Sequence, residues 1–420
     1  MKKSIDPVLS PFRDILVILF FFAGINPAFM ISEPLYSPTW GFRMDLPEGY
    51  TYRDGNGTDR FSFSFEGRGG FDAAVYAGTA YPSLEVLTAD VQKRLGNRGE
   101  IAFFEYRNKK AALLELAFET GDNRGNGEGA SEGFSFEGWG LCVELEKGGE
   151  NPGPSPPPWL VALAYGPAGK GELQNLHLSA LDSIAPSDAD RYAPGPITEF
   201  TYPRGGRITG KPAGLDLPVP LREFDAQGAQ ALVDREFVVL KSYGNTPLGK
   251  EAWARFYRAI YRDSFERLAG AAFALERYWN VPAWKEPADT GTTASTDTAS
   301  ADRALAEKAL KWVQSFTYER DLLGSDFVNL VSAAFEGRGD CDSRALLWAL
   351  ILEQAHIPGA IMVSAEYKHA MGLADLPGAG ARFPLGDTRW LVAETTAPVP
   401  LGRIRADVSE ISRWMGIRFE

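Results

Sequence analysis

The run Gly339-Asp340-Cys341-Asp342 leads directly into Ala345-Leu346-Leu347-Trp348-Ala349-Leu350-Ile351-Leu352, eight apolar residues without a break. A helix that is apolar on every side must be buried on every side, so this segment predicts a central helix with the rest of a domain wrapped around it. Cys341 stands at its N-terminus, where free N–H groups and the helix dipole favour a thiolate. Asp340 and Asp342 act against that effect, because neighbouring negative charge raises a thiol pKa. Both also have a plain structural role as helix N-caps. A thiolate between them therefore needs a cationic partner, and His369 is the candidate. His369 lies on one strand-like segment and Glu394 ends another, Trp390-Leu391-Val392-Ala393-Glu394. Cysteine, histidine and acid in this order suit a nucleophile, a base and an orienting carboxylate. The expected geometry is thiol to imidazole and imidazole to carboxylate within roughly 3–4 Å.

At 420 residues with 45% hydrophobic and 23% charged residues, the chain has material for two or three cores. Its net charge of −12 excludes a nucleic-acid surface, which needs clustered Lys and Arg. The three histidines and two cysteines are dispersed, so no metal site and no cofactor are expected. Cys142 falls in the strand-like Trp139–Leu145 and reads as a small buried hydrophobe, the alternative being a disulfide with Cys341. His356 reads as an exposed helix-end residue, and His177 as a residue of a surface helix.

Lys2 and Lys3 precede the apolar Ile15–Gly24, which has the roughly ten-residue length of a signal-peptide core. Residues 1–33 are expected to be a signal peptide cleaved between Ala23 and Ser32, or else an uncleaved anchor through residues 15–31. Either implies export to the periplasm or cell envelope.

The predicted fold class is α+β and multidomain. Residues 38–186 form an antiparallel sheet domain with flanking helices, shown by the alternation of Phe61-Ser62-Phe63-Ser64-Phe65 and the strand-like segments that follow it. Two loop-like insertions, 121–133 and 148–158, interrupt this domain. Residues 187–222 read as a Pro/Gly-rich linker and 223–285 as a helical segment with aromatics at helical spacing, taken as packed core. Residues 286–302 read as a flexible tether. Residues 303–420 run from helices into a short sheet, the papain-like arrangement of layers.

The Gly-x-Cys start of a helix, Ile357-Pro358 leading into a strand, Tyr367-Lys368-His369-Ala370-Met371, and Trp390 to Pro398 together resemble the transglutaminase-like superfamily over residues 301–400. The resemblance implies Cys341 as nucleophile, His369 as general base and acid, and Glu394 as the orienting carboxylate, where the family usually has aspartate. Asp387 is the rival for that third role, although Gly386-Asp387 looks like a hairpin turn. The family also uses an upstream oxyanion donor; Tyr318, Gln314 and Trp312 are candidates beside the Cys341 N–H. The implied function is a thiol hydrolase or acyltransferase acting on a peptide or protein amide. The alternative is a non-catalytic envelope protein that uses the fold for binding or scaffolding. More loosely, Gly41 to Tyr50 and the element order after it resemble the PsbP and Mog1 domains.

Overall fold

The computed structural model describes residues 34–419 except 67–68, 121–133, 147–155, 245, 281–293, 320–324 and 326. The expected leader (1–33) lies outside the described residues, as do the insertion 121–133 and most of the second insertion. Among the described residues no helix is long and apolar enough to cross a membrane.

Two short strands, β1 (Leu35–Tyr36) and β2 (Arg43–Met44), pair with each other ahead of the main sheet. The alternation around Phe63 produces a large antiparallel sheet. Its strands are β3 (Tyr50–Gly55), β4 (Arg60–Phe65), β5 (Gly69–Tyr76), β6 (Ile101–Tyr106), β7 (Lys109–Thr120), β8 (Phe134–Glu144) and β9 (Trp159–Pro167), in spatial order β3-β4-β5-β9-β8-β7-β6. Alternate residues supply two cores. Phe63, Phe71, Leu141 and Leu160 share one cluster with helix residues Ala180 and Leu181. Ala74, Leu114, Cys142 and Val161 share the other with Leu87 and Val91. Helix α1 (Leu84–Leu95) starts at the Ser83 cap and ends at Gly96, whose φ of 62° is the left-handed conformation that glycine tolerates. Helix α2 (Gln174–Asp182) closes the other face, and it corrects one expectation. His177 is buried, 2% exposed, rather than on a surface. The packing of α2 against β8 and β9 places its middle turns inside the core.

Residues 187–222 hold more structure than a linker does. They contain helix α3 (Pro196–Thr201) and the hairpin β10 (Arg207–Gly210) with β11 (Val219–Arg222). Helices α4 (Asp225–Ser242) and α5 (Gly249–Trp279) follow. Helix α6 spans Ala294–Gln314, so the second half of the expected tether, 294–302, is helical. That stretch carries Ala294, Ala299 and Ala301, and alanine is the strongest helix former. The first half lies outside the described residues.

The remainder is β12 (Thr317–Tyr318), α7 (Leu330–Glu336), β13 (Arg338–Gly339), α8 (Cys341–Gln354), β14 (Gly359–Ser364), β15 (His369–Ala374), β16 (Arg382–Leu385), β17 (Thr388–Ala393) and β18 (Met415–Ile417). The last five strands form an antiparallel sheet in the order β16-β17-β15-β14-β18. Helix α8 packs on β14 and β15 with Ala345–Leu352 all buried, as its unbroken apolar run requires. A Cβ on Gly372 would come within 2.3 Å of Trp348 Cε3, so glycine there permits the close approach of helix and sheet.

The protein is therefore an α+β multidomain chain. By internal contacts it divides into two units. One gathers the described residues up to Arg191 with Gly195–Phe200 and Lys241–Ala252; the other gathers Tyr192–Pro194, Thr201–Leu240 and Trp253–Glu420. The middle helices do not form a unit of their own. Phe256, Tyr257, Ile260 and Leu268 of α5 share one core with Leu346 and Trp348 of α8. The same helices carry buried ion pairs: Arg267 with Asp263 (2.9 Å) and Asp225 (3.0 Å), and Arg255 with Glu236 (2.7 Å).

Candidate active site

Asp340 caps α8, its carboxylate accepting from the Ser343 N–H at 2.8 Å and the Ser343 hydroxyl at 2.6 Å. Cys341 follows in the first turn and is 1% exposed. Its thiol donates to Asp342 Oδ2 at 3.4 Å. Asp342 in turn accepts a hydrogen bond from the Tyr257 hydroxyl on α5. Burial pushes the Cys341 thiol pKa well up, and Asp342 and Asp340 push it further; the Ala370 backbone N–H at the sulfur opposes them. In this state Cys341 is a protonated thiol.

His369 opens β15, and Glu394 follows the last residue of β17, which pairs with β15. His369 Nε2 and Glu394 Oε2 are 2.8 Å apart. The other oxygen, Oε1, accepts from the Thr396 N–H at 2.8 Å and the Thr396 hydroxyl at 2.6 Å. Burial by itself would raise the Glu394 pKa. The His369 hydrogen bond and charge, together with the Thr396 bonds, outweigh it and hold the carboxyl below its ordinary value. An ionised carboxylate accepts only, so the hydrogen of this bond is on Nε2, and Nδ1 is the nitrogen that faces away from the acid.

Glutamate thus occupies the position beside the imidazole. Asp387, the rival, sits in the turn between β16 and β17. Cys142 and Cys341 are both free thiols, which removes the disulfide alternative.

The expected thiol–imidazole hydrogen bond is not formed; the thiol is bonded to Asp342 instead. Side chains alternate along a strand, so His369 shares a face with Met371 and Leu373. Those two pack with Trp414, whose ring centroid lies 6.2 Å from that of the imidazole. Ala370 belongs instead to the core of α8. The link between the two catalytic candidates is this backbone step: the residue after His369 presents its N–H to the Cys341 sulfur.

Two of the three oxyanion candidates have other work. The Trp312 indole N–H donates to the Ala213 carbonyl at 2.9 Å. The Gln314 side-chain amide donates to the carbonyls of Glu394 (2.8 Å) and Val399 (2.9 Å), fixing the backbone that carries the acid. Tyr318 is half exposed, and its backbone pairs with Gly339, two residues before Cys341.

Sequence reasoning did not find Tyr257, Thr396, Arg344 or the bracing role of Gln314. Tyr257 had read as helix core, and no local pattern ties it to a residue 85 positions away. Thr396 was detectable in principle, because a Thr two residues after an acid commonly hydrogen-bonds back to it.

No protein-family model matches this sequence, and no curated protein matches it. Among solved structures, one similar chain is a protein of Bacteroides thetaiotaomicron VPI-5482 known from a crystal structure. It is 9% identical with a TM-score of 0.24, over 56% of this chain and 79% of that one. A likeness at that level says nothing about activity.

Proposed function

We propose that this protein is a transglutaminase-like thiol enzyme acting on amide bonds of a peptide or protein, by hydrolysis or by acyl transfer. The observation that carries this reading is the ordered pair His369–Glu394 at 2.8 Å, one backbone step from the N–H that touches the Cys341 sulfur. A carboxylate paired with an imidazole, on the residue next to the one whose N–H touches a helix-start cysteine, supplies the orienter and the base of thiol acyl transfer once the sulfur and the imidazole meet.

In this reading the resting thiol turns from Asp342 to His369 and passes its proton to Nδ1. The thiolate attacks the amide carbonyl, forming the C–S bond, while the Cys341 N–H and a second donor hold the developing oxyanion. Collapse breaks the C–N bond, and His369 returns its proton to the departing amine. Water, deprotonated by His369, or a second amine then releases the acyl group and restores the thiol. Residues 1–33 act as signal peptide or anchor, and the protein works in the cell envelope. Mass spectrometry of the mature N-terminus tests this: an intact Met1 on soluble protein would remove the export proposal.

A second reading, a non-catalytic envelope binding or scaffolding protein, is favoured by one observation: the thiol is buried and hydrogen-bonded to a carboxylate. Alkylation with iodoacetamide at pH 7, mapped by peptide mass spectrometry, separates the two readings. The enzyme reading expects Cys341 to label at least about tenfold faster than Cys142. Equal, slow labelling of both would favour the scaffold.

A further inference from the structure

Arg344 lies three residues after Cys341 on α8 and is 2% exposed. Its Nε donates to the Gly339 carbonyl at 3.1 Å, and its Nη2 to the Phe316 carbonyl at 2.8 Å. Its guanidinium carbon stands 5.6 Å from the centroid of the Tyr318 ring. Thus it fastens the end of α6 and the strand pair β12–β13 to the first turn of the cysteine helix.

The unusual feature is what Arg344 lacks. Burying a guanidinium is costly unless a carboxylate compensates it. The chain follows that rule elsewhere: Arg255 has Glu236, and Arg267 has Asp263 and Asp225. Arg344 makes no ion pair with any described residue. Two neutral carbonyls and an aromatic face are its compensation, and burial accordingly lowers its pKa. The groups that in their ionised forms act on it in the opposite direction are Tyr318, Asp340, Cys341 and Glu394. A buried cation without a fixed counter-ion is thus held among the groups of the site.

We propose that Arg344 is a positioning residue of the Cys341 site, a permanent positive charge that supports the sulfur when its proton leaves. This rests on the thiol-enzyme reading and says how that reading is met between two aspartates. The groups that bear on the thiol are Asp340, which caps α8, Asp342 in its first turn, bonded in turn to Tyr257 of α5, and the Ala370 N–H of β15; Tyr318 and Glu394 bear on Arg344 itself. The two aspartates disfavour a thiolate, and in the proposed step His369 takes up the thiol proton as the thiolate forms. Arg344 provides a cation beforehand.

The test is the rate of iodoacetamide labelling at Cys341 in the full chain, followed from pH 5 to 10, in the wild type and in Arg344→Gln, Arg344→Met and Arg344→Lys. Circular dichroism selects the variants that are folded, and Met, which keeps the aliphatic stem, stands in if Gln does not fold. The expected result is a labelling midpoint at least about one pH unit higher in the neutral variants, corresponding to roughly tenfold less thiolate at a given pH below it. Lysine should restore most of the wild-type midpoint. An unchanged midpoint in a folded neutral variant overturns the proposal and leaves the enzyme reading standing. Lysine behaving like glutamine also overturns it, assigning Arg344 a purely hydrogen-bonding role toward Gly339 and Phe316. A wild-type Cys341 that does not label at any pH removes the enzyme reading itself.

Discussion

Cys142 and Cys341 are buried to the same degree, 0% and 1% exposed, yet their surroundings differ in kind. Cys142 sits in mid-sheet on β8, in register between Ala112 and Val161, and burial alone raises its pKa. Cys341 stands at a helix start with two carboxylates raising its pKa and a backbone N–H lowering it. The histidines repeat the contrast. His177 is buried with no hydrogen-bond partner on Nδ1, whereas His369 is engaged by a carboxylate that Thr396 holds with two hydrogen bonds, on a residue whose backbone carbonyl Gln314 fixes. Burial raises the pKa of both thiols. Only at Cys341 are there groups whose rearrangement could reverse that.

The sharpest way to break the comparison is substitution of each thiol. Cys341→Ser should abolish all fast alkylation, and any hydrolytic activity should fall by several orders of magnitude. Cys142→Ser should leave both unchanged. Fast labelling that survives in Cys341→Ser and disappears in Cys142→Ser would invert the assignment.

The contrast between the histidines is testable through pH. Burial lowers the His177 pKa to about 4 from the ordinary 6.5. The unfolded chain therefore takes up the proton first, so this contribution is complete above pH 6.5 and is lost as pH falls toward 4. At pH 4 the loss amounts to about 3 kcal/mol. Urea unfolding between pH 7 and 4 should fall less steeply in His177→Leu than in the wild type. Parallel curves would show that the proton enters without disturbing the fold.

Glu394→Gln should slow Cys341 alkylation at pH 7 by about tenfold, because an amide does not hold the imidazole as a carboxylate does. A wild-type rate would mean that the acid serves structure only. The smallest expected effect has the opposite sign. Asp342→Asn removes the charge that accepts the thiol proton, so labelling at pH 7 should rise by a few-fold. A fall would show that Asp342 assists the sulfur rather than restraining it.

How much of this could be read from the sequence follows from the range of each interaction. The α8 helix was legible because eight consecutive apolar residues leave no solvent face. The Asp340 cap and the strand carrying Glu394 were legible for similarly local reasons. The restraint on Asp342 was not, since Tyr257 is remote in sequence and belongs to a helix whose aromatic pattern looks the same whether or not one hydroxyl reaches an acid. His177 was misread because the flanking Leu173, Leu176 and Leu178 fit either a surface helix or a covered one, and the partner sheet decides between them. The 294–302 stretch was misread because its Thr, Ser and Asp residues obscure the helical tendency of its alanines. Why Arg344 is unpaired could not be seen either, because that depends on which carboxylates the fold places near it.

The hydrogen bond from the Cys341 thiol to Asp342 also bears on durability. Peroxide, like an alkylating agent, reacts with the thiolate and scarcely with the thiol, and an oxidised sulfur that passes the sulfenic stage is not recovered. A nucleophile kept protonated and out of solvent until its neighbours rearrange is therefore shielded from oxidative ageing. Cys142 is the only other cysteine of the sequence and both thiols are free, so on the thiol-enzyme reading proposed above this shielding is what protects the sulfur.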